Sequence, residues 1–75
     1  MRPLYIIARE IRTDWKKVSP YAAPYLSAMS LLNSVDDNYL MDSGRSIVSY
    51  FLANAGSWRG ETAKRIKAEL KAMVK

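Results

Sequence analysis

Two short segments hold the residue types best suited to gripping a ligand. Asn54-Ala55-Gly56-Ser57-Trp58-Arg59-Gly60-Glu61 gathers a tryptophan, an arginine and two glycines in one expected interhelical turn. Asp42-Ser43-Gly44-Arg45-Ser46 repeats the glycine–arginine pairing at an expected helix start. Unpaired N–H groups at a helix start attract anions, so phosphate or carboxylate binding is the chemistry such turns offer. Neither segment matches the G-x-x-x-x-G-K-[ST] phosphate loop, and Asp42 or Glu61 would repel an anion. Simple helix capping is therefore the favoured reading, and nucleotide hydrolysis is not expected. Glycine in a first helical turn costs about 1 kcal/mol relative to alanine, so Gly60 points to a backbone approached closely by a neighbouring helix or a ligand.

Other chemistry is sparse. The 75 residues include no cysteine and no histidine, which removes thiol nucleophiles, Ser/His/Asp triads and the usual nitrogen and sulfur ligands of zinc. Asp36, Asp37 and Asp42 are the remaining candidates for metal binding or acid–base work. Their spacing lacks the glycine and closing glutamate of an EF-hand loop, and one polar loop supplies them without an evident catalytic partner. No enzyme activity, metal or cofactor is expected.

Charge offers more. Twelve Lys+Arg stand against seven Asp+Glu, a formal net charge of +5. Residues 1–17 carry five basic and two acidic groups, residues 59–75 six and two, and between them Arg45 faces three aspartates. If the terminal helices lie side by side, their outer faces form one cationic surface that could meet nucleic acid or an acidic protein. A helix-turn-helix reading of Ile47 to Leu70 places Arg59, Lys64, Arg65 and Lys67 on the second helix. That helix offers mainly Thr62 for base edges, so nucleic-acid contact would be led by the backbone, through Arg59, Lys64, Lys67 and Lys71, with Arg9, Arg12 and Lys16 from the first helix.

Helices must position these groups. Leu4, Ile7, Ala8, Ile11, Trp15 and Val18 recur at three- and four-residue steps, which predicts a helix over 3–18 with Pro3 in its first turn. On its other side Asp14 can pair with Lys17. Ser19-Pro20 breaks the pattern, and Tyr25, Leu26, Met29 and Leu32 suit a second helix over 22–32. Polar residues 33–38 read as the most flexible stretch. A third helix over 43–55, capped by Asp42 or Ser43, is apolar on most sides and is expected at the centre, with Gly56 left-handed at its end. Ser57 is expected to cap a fourth helix over 58–74, with Trp58, Thr62, Ile66, Leu70, Met73 and Val74 inward and a Glu61–Arg65 pair outside. With 49% hydrophobic residues, the chain is expected to be all-α: a small single-domain bundle of three to four helices spanning 1–75.

Five tyrosines and two tryptophans against one phenylalanine supply aromatic groups with polar tips, which suit a core rim or a protein interface. Tyr5, Tyr21, Tyr25 and Tyr39 are expected nearest the surface. Trp15 reads as a core anchor. The partner-binding residues expected are Trp58 and Arg59 in one turn, Arg45 in the other, and Tyr39.

Residues 2–11 through Asp14-Trp15, with Asp42-Ser43-Gly44-Arg45-Ser46-Ile47-Val48 (DSGRSIV) and Trp58-Arg59-Gly60-Glu61 (WRGE), resemble a group of small uncharacterised proteins from phage, prophage and bacterial mobile-element genomes. The resemblance covers most of the chain. It implies a mobile-element origin and a bacterial cytoplasm, and brings no catalytic residues. No apolar run is long enough to span a membrane, and the opening is unlike a signal peptide, in keeping with a cytoplasmic location. The leading expectation is a non-enzymatic interaction module that binds a host or phage protein through a basic, aromatic helical surface and modulates host defence or replication. A small nucleic-acid-binding protein is the alternative, and a homodimer is a further expectation, since so short a bundle has apolar surface left to bury.

Overall fold

A computed structural model describes residues 2–75. Four helices, α1 (Leu4–Asp14), α2 (Ala23–Met29), α3 (Gly44–Ala53) and α4 (Glu61–Met73), surround one apolar cluster, with a two-stranded hairpin, β1 (Asn38–Tyr39) and β2 (Asp42–Ser43), ahead of α3. The expected helical architecture holds, and the hairpin corrects the expectation of a purely α-helical chain. Its antiparallel register pairs Asn38 with Ser43 and Tyr39 with Asp42.

Each helix is amphipathic, and its apolar stripe determines where it packs. Leu4, Ile7, Ala8 and Ile11 of α1 are buried, as are Leu26, Ala28 and Met29 of α2, Ile47, Val48 and Phe51 of α3, and Ala63, Ile66, Leu70 and Met73 of α4. The helices pack mainly as a ring, α1 on α2, α2 on α3, α3 on α4 and α4 back on α1. The third helix is therefore one wall of the bundle rather than its centre. Its outer side carries exposed Ser49 and Tyr50, whereas a central helix would have Tyr50 covered.

Every helix is shorter than its periodicity predicts. Trp15 leaves helical dihedrals (φ −96°, ψ 89°) while its N–H still donates to the Ile11 carbonyl, so α1 stops at Asp14 instead of Val18. Its ring turns inward against Trp58 and Phe51. Pro24 stands in the first turn of α2, where its missing N–H costs nothing, and the helix closes through Leu31 and Leu32 N–H groups bonded three residues back. Ser43 caps α3 as expected, its Oγ accepting from the Ser46 N–H at 3.1 Å.

The polar stretch 33–38, expected to be flexible, is hydrogen-bonded throughout. Asp37 Oδ2 accepts from the N–H groups of Asn33 (2.9 Å) and Ser34 (3.1 Å), and Ser34 Oγ accepts from that of Asp36. The Leu4 and Tyr5 N–H groups, unpaired within α1, donate to the carbonyls of Asn33 and Leu32. The loop thus caps the first helix with its backbone.

The glycines separate into three cases. A Cβ on Gly44 would lie 2.7 Å from the Ser34 carbonyl oxygen and 3.0 Å from Val35 Cα, so the close approach expected at Gly60 occurs here instead. Gly60 meets nothing within 4 Å but has φ +114°, a conformation that L-residues avoid, and it stands at the N-cap of α4. Gly56 has neither constraint, which corrects its expected left-handed role. Alanine at Gly44 should therefore destabilise the fold by about 2 kcal/mol through overpacking against backbone, and alanine at Gly60 by about 1–3 kcal/mol through strain. Alanine at Gly56 should change stability by less than about 0.5 kcal/mol. Urea unfolding of the three variants checks the ranking, and a Gly56→Ala loss as large as that of Gly44→Ala would contradict it.

Candidate interaction surface

Trp58 sits in the connection from Asn54 to Gly60, outside α4, which begins three residues later than expected. It is only 2% exposed. Its ring stacks on Trp15 with centroids 5.7 Å apart and planes 10° from parallel, and Phe51 meets both indoles edge-on at 6.3 and 6.4 Å. Its Nε1–H donates to Asp14 Oδ2 at 2.8 Å, so Asp14 holds the indole rather than pairing with Lys17. These contacts use the aromatic surface of Trp58 inside the molecule, whereas the sequence placed it among the partner-binding residues. The expectation of Trp15 as a core anchor agrees with its burial.

Around this buried ring stand two exposed cations, Arg59 and Lys64, and a half-buried one, Lys67. Arg59, Lys64 and Lys67 line a shallow concavity of about 300 Å³ floored by Trp58, Gly60 and Ala63. Lys67 Nζ donates to the Trp58 carbonyl at 2.6 Å and lies 5.8 Å from its ring centroid. Burial, with the nearby charges of Lys71 and Arg59, pushes the Lys67 ammonium below the ordinary lysine range. Farther along α4, Ala68, Lys71, Ala72 and Lys75 line another open concavity. Lys64 and Lys71 are about 10 Å apart along the helix axis. The outer face of α4 is thus a row of lysines separated by alanines.

The seam between α1 and α4 is different in character. Arg2 donates from Nε (3.0 Å) and Nη2 (2.6 Å) to the two carboxylate oxygens of Glu69, and from Nη1 (2.7 Å) to Glu10, which also pairs with Arg65. Hydrogen bonds from Arg2 hold the carboxyls of Glu10 and Glu69 below the usual range, with Arg65 adding to the effect on Glu10, and the same bonds raise Arg2. Arg65 therefore pairs across helices instead of with Glu61. The terminal helices do lie side by side, but their seam is neutralised by two glutamates, so the expected single cationic surface is divided.

The other sequence-selected residues are dispersed around the bundle. Arg9 and Arg12 line a concavity with Tyr5 and Ser30, where Arg12 Nη2 donates to Ser27 Oγ at 3.2 Å. Lys16 is exposed just beyond α1. Arg45 donates to the Met73 carbonyl at 3.2 Å and lies 3.8 Å from Asp36, while Tyr39 is half-buried against the core. Arg45 thus stands at the C-terminal end of α4 and Arg59 at its N-terminal end, about 20 Å apart along the axis. The two glycine–arginine turns do not form one site.

Sequence reasoning missed two aromatic or apolar features. Tyr50 stacks on Tyr25 with centroids 5.4 Å apart on the outer side of α2 and α3. Leu40 and Met41 protrude from the hairpin. Tyr5 and Tyr21 are exposed as expected, whereas Tyr25 and Tyr39 are half-buried.

No protein-family model matches the chain, and no curated protein or solved structure matches it. Among the described residues, no group of His, Cys, Asp and Glu could hold a metal ion, and no helix is long and apolar enough to cross a membrane.

The paired glutamates give a signed pH dependence. Their carboxyls bind protons less readily in the folded chain than in the unfolded one, so this stabilisation is present above the ordinary carboxylate value of 4.5 and is lost as pH falls through the lowered values. Melting temperature should fall on acidification below that value, and Glu69→Gln should flatten the fall. At neutral pH this variant should cost less than about 1 kcal/mol, because the network is partly exposed and screened. Identical acid profiles for the two proteins, measured by circular dichroism, would exclude this role for Glu69.

Proposed function

We propose that the chain is a non-enzymatic interaction module, of the phage, prophage or mobile-element kind its DSGRSIV and WRGE segments resemble. It acts in the bacterial cytoplasm by binding an acidic surface of a host or phage protein and so modulates host defence or replication. The observation that carries the reading is the outer face of α4. Lys64, Lys67, Lys71 and Lys75, with Arg59 ahead of them, make no ion pair among the described residues, whereas Arg2, Arg45 and Arg65 do. An unopposed row of cations is costly by self-repulsion and gains when an anionic partner covers it. The aspartates support a non-catalytic reading: Asp14 holds Trp58, Asp37 holds the loop before the hairpin, and Asp36 lies beside Arg45.

Nucleic acid is the second reading, favoured by the lysine–alanine composition of the same face, which admits a sugar–phosphate backbone without bulky obstruction. The helix-turn-helix version loses support, because residues 54–60 make a seven-residue connection where that motif uses three or four. The aromatic groups that would stack on unpaired bases are absent from this face, since Trp58 is buried.

Triple reversal of Lys64, Lys71 and Lys75 to Glu separates the outcomes. Capture from a bacterial lysate, identified by mass spectrometry, should yield a stoichiometric acidic protein with the native chain and lose it with the variant. A partner retained by the variant contradicts the assignment to α4. For nucleic acid, titration of duplex DNA should show log affinity falling with log salt at a slope of roughly −3 to −4 for about four phosphate contacts. No binding at low salt removes that reading.

A further inference from the structure

We propose that the β1–β2 hairpin tip is a docking knob for a second copy of this chain, seated in the concavity lined by Tyr5, Arg9, Arg12 and Ser30. The tip is Leu40-Met41, the two residues that join Tyr39 to Asp42. Both side chains point into solvent, Leu40 84% and Met41 98% exposed, at a position that hairpins ordinarily fill with glycine, asparagine or aspartate. Leu40 also has φ +56°, the one non-glycine residue with positive φ among those described. A γ-branched apolar side chain gains nothing there in the isolated molecule: it is strained and unburied. Backbone strain of this kind persists where function uses the residue.

Charge identifies the occupant. The tip is flanked by Asp42, which pairs across the strands with Tyr39 and makes no ion pair among the described residues, whereas nearby Asp36 is opposed by Arg45 at 3.8 Å. Outside residues 36–45 the chain has eleven basic and four acidic groups, so an acidic, apolar knob is complementary to most of its own surface. One place adds apolar contact to that charge. The concavity between α1 and α2 holds about 230 Å³, the scale of a protruding side chain, smaller than the usual ligand cavity, and its wall includes the half-exposed ring of Tyr5. Arg9 makes no ion pair among the described residues, and Arg12 makes one side-chain hydrogen bond, to Ser27, which leaves guanidinium N–H groups for a carboxylate. Seating Met41 against Tyr5 brings Asp42 within reach of these arginines. Knob and socket are different patches: exchanged reciprocally between two copies they make an isologous two-fold pair, and engaged one way only they make a heterologous contact that continues head to tail.

This surface is separate from the lysine face of α4, and the test keeps them apart. Sedimentation velocity on the full chain, from micromolar to millimolar, should show average mass rising with concentration and the rise weakening as salt is added. Leu40→Gly should raise the melting temperature by relieving the strained φ, yet weaken self-association about tenfold or more. Met41→Ser should weaken it similarly with no gain in stability. Asp42→Arg and the Arg9→Glu, Arg12→Glu double variant should each be monomeric alone and associate when mixed. Lys71→Glu, on the other face, should leave association intact. A native chain that stays monomeric throughout overturns the proposal. So does association unchanged in Leu40→Gly and Met41→Ser, or failure of the charge-reversed pair to recover it on mixing.

Discussion

The stack of Trp15 on Trp58, held by the hydrogen bond from Trp58 to Asp14, is the contact on which the arrangement of the helices depends. It joins residues more than forty positions apart and couples three decisions. It ends α1, because Trp15 leaves the helix to present its ring. It draws the connection after α3 inward, so that α4 begins at Glu61 rather than beside Trp58. It also supplies the floor from which Lys67 and Arg59 stand out. Offset or edge-on aromatic pairs contribute about 0.5–1.5 kcal/mol beyond the area they bury, and here three rings share that gain with a satisfied indole N–H. A domain this small has few other anchors of comparable size.

The four helices were legible in the sequence because their apolar residues recur at helical spacing, a signal that survives without knowledge of the neighbours. Helix ends were less legible. Trp15 and Trp58 fit the helical stripes on either side of them, and only the gain from stacking them explains why both lie outside the helices. The hairpin left a weak trace, since Asn38-Tyr39 and Asp42-Ser43 are too short for alternation to register and Leu40-Met41 carries none of the usual turn residues. The glycines were recognised as special, but close approach falls at Gly44 rather than Gly60, and positive φ at Gly60 rather than Gly56. Close approach at Gly44 depends on where Ser34 and Val35 lie in space, which spacing along the chain does not encode.

The surface was legible in its net sign and not in its partition. Counting charges placed cations at both ends of the chain, and those ends do meet. What the count could not reveal is that Glu10 and Glu69 lie where they cancel Arg2 and Arg65, leaving the free cations on α4 separate from those on the outer side of α1. The molecule therefore presents two basic patches of different character. One is lysine on alanine, suited to a smooth anionic surface; the other is arginine beside tyrosine, suited to a shaped contact.

Pinning residue 2 to residue 69 has a topological consequence. Arg2 and Glu69 are joined side chain to side chain, so the segment between them is nearly a closed loop whose seam is fastened by a guanidinium clamp. In such a loop the point of chain opening is arbitrary as far as the core is concerned. A short linker across the seam and a new break between Leu40 and Met41 would leave all four helices uninterrupted.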